Sequence, residues 1–175
     1  MKKYIFLEGL PGIGKTTIIN YIKKNYKNIN VVDEIINKSI LENNSFTEED
    51  FIKNDEMKLN KYNEGIILLD RGPISSLSYS QVKQIIDINY DISKANKVFD
   101  KNKNYLYNSK IIYLTNNGKN YFIPNNNIIS PYSSIENQSL LETISIFNCK
   151  KYCNNVVIIN YDRSNMEEVI NEIIN

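Results

Sequence analysis

Short apolar runs alternate with amphipathic stretches along the whole chain. Residues 4–7 form a continuous apolar run, the pattern of a strand. Residues 15–26 follow, with Ile18, Ile19 and Ile22 spaced to share one helical face. Residues 30–32 read as a short second strand running into Asp33-Glu34. Thr47-Glu48-Glu49-Asp50 opens a further helix with its acids at the positive end. Residues 66–69, between Gly65 and Asp70, are apolar at every position, as in a strand buried on both faces. Residues 74–86 and 92–104 read as helices, 111–114 as the fourth strand, 139–152 as a helix and 156–159 as the fifth strand. Ser164-Asn165-Met166-Glu167 has the form of a capping box for a last helix ending near Ile174. Residues 116–137 are polar, hold Gly118, Pro124 and Pro131, and read as a lid-like loop.

Strands separated by helices imply βαβ units and a parallel sheet. With right-handed crossovers this predicts a doubly wound α/β fold: a five-stranded parallel sheet flanked by helices on both faces. No linker or repeat divides the 175 residues, so residues 1–175 are expected to form a single domain.

Charge narrows the function. The net charge is +1, which argues against a general nucleic-acid or membrane-surface binder. The chain has no histidine, excluding a Ser/His triad and any His-ligated metal. Proton transfer must then fall to carboxylates, Lys, Tyr or water. Cys149 and Cys153 are spaced for one helix face and are expected as reduced, half-buried thiols of an intracellular protein. No run approaches ~18 apolar residues, and Glu8 cuts the first apolar run too short for a signal peptide, so the expected location is cytoplasmic.

Candidate chemistry begins at Gly9-Leu10-Pro11-Gly12-Ile13-Gly14-Lys15-Thr16, which matches G-x-x-x-x-G-K-(S/T) between a strand and an amphipathic helix. Gly9, Gly12 and Gly14 let the backbone wrap phosphate oxygens, and the amides around Ile13 point at them. The helix start adds its positive dipole. Lys15 carries a charge to the β/γ-phosphates, the Thr16 hydroxyl can ligate Mg²⁺, and Thr17 can reach an α-phosphate. The pattern defines a P-loop, hence the P-loop NTPase fold, with ATP and Mg²⁺ as expected cofactors.

Asp70 ends an apolar strand, where a carboxylate beside a P-loop holds Mg²⁺ through water; the alternative is an Asp that merely ends the strand. Arg71 follows it. The chain has only two arginines, Arg71 and Arg163. Arg71 suits bidentate phosphate recognition, or else pairs with a neighbouring acid. Arg163, after the fifth strand, either touches the nucleotide base or is a solvated charge.

Asp70-Arg71-Gly72-Pro73-Ile74-Ser75-Ser76-Leu77-Ser78-Tyr79-Ser80-Gln81 resembles the D-R-(Y/H)-x-x-S-x-x-A-(Y/F)-Q element of thymidylate kinases, with Asp70, Arg71, Ser75 and Tyr79 in register. Glu8-Gly9 through Thr17 is similar to that family's opening. Deoxynucleoside kinases, with an E-R-S element at this strand end, are related. The resemblance implies phosphoryl transfer from ATP to a nucleoside or nucleoside monophosphate. Arg71 would bind the acceptor phosphate or the transferring group, and Asp70 would support Mg²⁺ or the acceptor. Where deoxynucleoside kinases carry a catalytic Glu, this chain has Asp33-Glu34. Glu34 is the candidate base and Asp33 the alternate; both could instead be acids at the start of a helix over 35–41. An acid pair there repels a monophosphate and tolerates a neutral hydroxyl. Residues 116–137 hold no arginine, only Lys119, where such kinases close arginines over the phosphates. That departure leaves open a kinase of another small alcohol, or an ATP-binding regulatory protein without turnover. The expected partner is a small-molecule nucleoside or nucleotide acceptor, with no nucleic acid and no membrane; a homodimer stays open.

Overall fold

Burial on both sides turns the apolar runs into the middle layer of the molecule. The computed structural model describes residues 2–37, 40, 48–118, 132 and 134–175. Its strands are β1 (Lys2–Gly9), β2 (Ile29–Val32), β3 (Gly65–Asp70), β4 (Lys110–Thr115) and β5 (Asn155–Asn160). Its helices are α1 (Lys15–Asn25), α2 (Glu48–Asn60), α3 (Pro73–Ile86), α4 (Ser93–Asn102), the short α5 (Asn104–Tyr107), α6 (Ile135–Tyr152) and α7 (Met166–Ile174). All strand pairs are parallel, in the order β2-β3-β1-β4-β5.

Alternation along β1 sorts the core into two layers. Ile5 and Leu7 pack with Ile18, Ile19 and Ile22 of α1 and Val169, Ile170 and Ile173 of α7. Tyr4 and Phe6 face the other side, with Leu59 of α2, Ile74 and Leu77 of α3, Phe99 of α4 and Leu106 of α5. The five-stranded parallel sheet covered on both faces is therefore present. The central position of β1 puts its C-terminal end beside those of β3 and β4, where doubly wound sheets bind ligands.

Several expected boundaries move. The first strand extends to Gly9 because β4 pairs with it as far as Gly9 opposite Leu114, beyond Leu7 opposite Asp70, where its pairing with β3 ends. The last long helix starts at Ile135, not 139, because the Ser134 hydroxyl accepts the Asn137 amide at 3.1 Å. The final cap is Asp162, not Ser164: Asp162 closes a capping box with Asn165 around a 3-10 turn, Arg163–Asn165, ahead of α7. Residues 35–37 are not helical; the amides of Ile36 and Asn37 instead donate to Asn54 Oδ1 at 2.8 and 3.0 Å. Cys149 and Cys153 are fully buried rather than half-buried, and Cys153 lies one residue past α6. Tyr105 packs edge-on against Tyr4 in the core. Thr47, and residues 119–131 and 133 of the expected lid-like loop with Lys119, Tyr121 and Phe122 among them, lie outside the described residues. Among the described residues, no helix is long and apolar enough to cross a membrane.

Candidate active site

The glycine loop leaves β1 at Gly9 and enters α1 at Gly14. Both are in the left-handed half of backbone space, with φ of 139° and 113°. A Cβ on Gly14 would sit 2.8 Å from Tyr161 Cε1, so glycine is required by contact as well as by φ. Lys15 folds back under the loop, where its Nζ donates to the carbonyls of Gly9 (3.1 Å) and Leu10 (3.0 Å). Burial, reinforced by the neighbouring Arg71 charge, lowers its pKa to about 7. A cavity of about 460 Å³ lies over the loop. Gly12, Ile13, Gly14, Lys15, Thr16 and Thr17 line it, and Tyr161 and the exposed Arg163 stand at its edge. This arrangement of amides, helix dipole and ammonium suits a polyphosphate.

At the end of β3 the chain makes a strained turn. Asp70 shares the sheet face of Leu68, the side that carries α1. Burial raises its carboxyl pKa, partly offset by Lys15. Its buried Oδ1 has no hydrogen-bond partner. An orphaned carboxylate oxygen and the Thr16 hydroxyl are hard oxygen donors that fit Mg²⁺ with water completing the shell. Arg71 then adopts φ of 62°, a conformation costing a non-glycine residue ~1–2 kcal/mol. Its amide donates to Leu7 O at 3.0 Å, and the following Gly72 amide donates to Glu8 Oε1 at 2.9 Å. Gly72 lies against Phe6, whose ring would be 2.4 Å from any Cβ there.

The turn aims the guanidinium at three partners. Arg71 Nε meets Glu34 Oε1 at 2.8 Å. Its terminal nitrogen donates weakly to Ser75 Oγ at 3.4 Å, and the group lies 5.6 Å from the Tyr79 ring centroid. Burial opposes its charge, but Tyr79, Glu34, Glu8 and Asp70 outweigh that and raise its pKa, so it stays a cation.

A second cavity, of about 510 Å³, opens on the other side of Arg71, between α2, α3 and α4. Phe51, Leu77 and Phe99 give it apolar walls; Asp55, Lys58 and Lys83 supply polar groups. Arg71, Glu34 and Tyr79 line both cavities and so form the seam between them.

The geometry separates the sequence candidates. Glu34 is at the seam. Asp33 is not: it pairs with Lys23 on the outside of α1. Lys15, Thr16, Thr17, Asp70 and Arg71 converge around the loop and the β3 end, with Arg163 at the rim. Sequence reading passed over three groups. Glu8 is buried, takes the Gly72 amide and the Ser75 hydroxyl, and is pushed up by burial to about 7. Asp55 is buried against Ser76 Oγ at 2.6 Å, with a raised pKa from burial. Lys58 is buried and donates to Asp70 O at 2.6 Å and Arg71 O at 2.8 Å. For Glu8 a signal existed, an acid inside an otherwise apolar strand; Asp55 and Lys58 are indistinguishable from any polar helix residue.

The fold is that of the P-loop nucleoside and nucleotide kinases. A deoxyadenosine kinase from M. mycoides with bound dATP superposes with a TM-score of 0.67 at 16% identity, covering 99% of this chain and 100% of that one. The M. mycoides deoxyadenosine kinase bound to its products dCMP and dCDP gives 0.63 at 21% identity, covering 98% and 97%. A thymidylate kinase from Ehrlichia chaffeensis gives 0.60 at 17% identity, covering 99% and 97%. No family model and no curated protein matches the sequence.

Proposed function

We propose that this chain, working as one domain over residues 1–175, is an ATP-dependent kinase that phosphorylates the 5′-hydroxyl of a nucleoside. The observation that carries this reading is the seam. A phosphate-binding cavity and a mostly apolar cavity of about 510 Å³ share Arg71, Glu34 and Tyr79, so a phosphoryl group leaving one enters the other. Glu34 can accept the hydroxyl proton, and Arg71 orients that carboxylate while neutralising charge on the transferring group. Lys15 and the loop amides hold the β- and γ-phosphates in line. Thr16 and Asp70 would hold Mg²⁺, which supplies charge neutralisation between the phosphates.

Acceptor charge favours a nucleoside over its monophosphate. Glu34 and Asp55 face the second cavity, and its cations are already engaged: Arg71 by Glu34, Lys58 by two carbonyls, and Lys83 by the Tyr90 ring at 4.2 Å. The structural likeness to deoxyadenosine kinase supports the same choice. Two free, buried thiols fit a reducing compartment such as the cytoplasm.

The test is turnover of Mg-ATP against a panel of nucleosides, their monophosphates and simple alcohols. Phosphorylation of a nucleoside with monophosphates inert is the expected result. A monophosphate as the sole acceptor overturns the nucleoside assignment. ATP binding without product across the panel overturns the kinase itself and leaves a nucleotide sensor.

A further inference from the structure

Lys58 is 2% exposed on α2, and burial lowers its pKa. An ammonium is costly to dehydrate, and Met would fill a similar volume without that cost. Its donors go to two consecutive carbonyls, Asp70 O and Arg71 O, which flank the left-handed φ of Arg71. From the other side β1 holds the two amides of the same turn, Arg71 N through Leu7 O and Gly72 N through Glu8. Four consecutive backbone polar groups are thus fixed, two by β1 and two by one side chain from α2. The strained φ persists because both sides over-determine it. The same ammonium stands among Asp55, Glu8, Asp70 and Glu34, whose charges all act on it.

We infer that Lys58 is a positioning residue for phosphoryl transfer: it holds the Asp70–Arg71 turn so that the guanidinium meets Glu34 between the two cavities. The inference rests on the kinase reading above. Lys58 acts through Arg71 and not on the nucleotide, since it lines the acceptor cavity and not the loop cavity. Loss of the clamp misplaces a catalytic group by a fraction of its reach, an effect of about a hundredfold on rate.

A kinetic cycle tests this with K58M, R71A and the double variant, using ATP and a nucleoside that the unaltered protein phosphorylates. K58M is expected to lower kcat about a hundredfold while ATP affinity holds. K58M/R71A is expected to be no worse than R71A alone, because the two losses share one route. Losses that multiply in the double variant overturn the inference. NMR gives a readout independent of turnover, and of K58M folding well enough to be assayed. The chain has two arginines, so the Arg71 Nε–H signal is resolved against exposed Arg163 as an internal reference. K58M, or the gentler K58Q if K58M does not fold, is expected to speed solvent exchange of the Arg71 signal alone. Unchanged exchange overturns the clamp. If no nucleoside, monophosphate or alcohol of the panel is turned over, the kinase reading fails and the NMR result decides the clamp by itself.

Discussion

Arg71 Nε and Glu34 Oε1 meet at 2.8 Å where the two cavities join, although the arginine is almost enclosed (10% exposed side chain) and the glutamate is half exposed (51%). The asymmetry has a chemical consequence. The buried partner is held by the β3 turn and keeps its charge, whereas the exposed one is open to the space where the cavities join, as the proposed role of hydroxyl base requires.

Truncating either partner separates binding from chemistry. Arg71→Ala should lower kcat by ~10²–10³, the scale of losing one transition-state donor, with ATP affinity little changed. Glu34→Gln should lower kcat by ~10²–10⁴ and spare nucleoside binding. Steady-state kinetics paired with calorimetric titration checks both, and an R71A enzyme of normal kcat would remove Arg71 from the mechanism.

Nucleotide binding should take up a proton. Lys15 has a pKa of about 7 in the free protein. Phosphates placed beside it favour the charged form and raise that value. Above pH ~7 the free lysine is increasingly neutral, so binding draws a proton from buffer and affinity falls as pH rises. Calorimetry at pH ~8 in buffers of different ionisation enthalpy measures the uptake; binding heats independent of buffer would contradict it.

Glu8 should make the fold less stable as pH rises through neutrality. Its folded pKa is raised from 4.5 to about 7, chiefly by burial. The folded state therefore holds this proton more tightly than the unfolded state. The stabilisation is complete below pH 4.5 and is lost as pH rises through about 7, on the order of 3 kcal/mol in total. Glu8→Gln removes this dependence. The difference in Tm between the variant and the parent should shift in favour of the variant from pH ~5 to pH ~8.

The turn has no room for a methyl group. Gly72→Ala would drive a Cβ to 2.4 Å from Phe6 Cδ1, a fully buried ring, and should cost ~1–3 kcal/mol as overpacking. Pairing it with Phe6→Leu should recover part of the loss in denaturant unfolding.

Removing the orphaned carboxylate should uncouple metal from turnover. Asp70→Asn deletes a charge whose burial already raises its pKa, so Tm should be equal or higher. The dependence of rate on magnesium concentration should flatten. A variant with the magnesium response of the parent would exclude Asp70 as a metal ligand.

Much of this molecule is legible along the chain. Each of the five strands lies where a short apolar run stands, and in the central strands β1, β3 and β4 burial on both faces accounts for it. Gly9 to Thr17 is legible because a phosphate loop is built from contiguous residues and its main-chain geometry needs glycine at set positions. Glu34 and Arg71 were candidates, but the 2.8 Å between them was not readable, since they come from the ends of two different strands. Asp33 beside Glu34 shows the limit. The two adjacent carboxylates point to opposite environments, one to Lys23 on the surface and one to Arg71.

Local chemistry therefore determined the sheet, the glycine-rich loop and the set of charged groups at its edge. Which of those groups act together was decided only by the packing of α2 and α3 on β1 and β3. Glu8 finds Gly72 across 64 positions, and Lys58 reaches the Asp70 and Arg71 carbonyls from another helix. Burying a charge is tolerable only once its partners are assembled around it, and that assembly exists in the folded chain and nowhere in the linear order of residues.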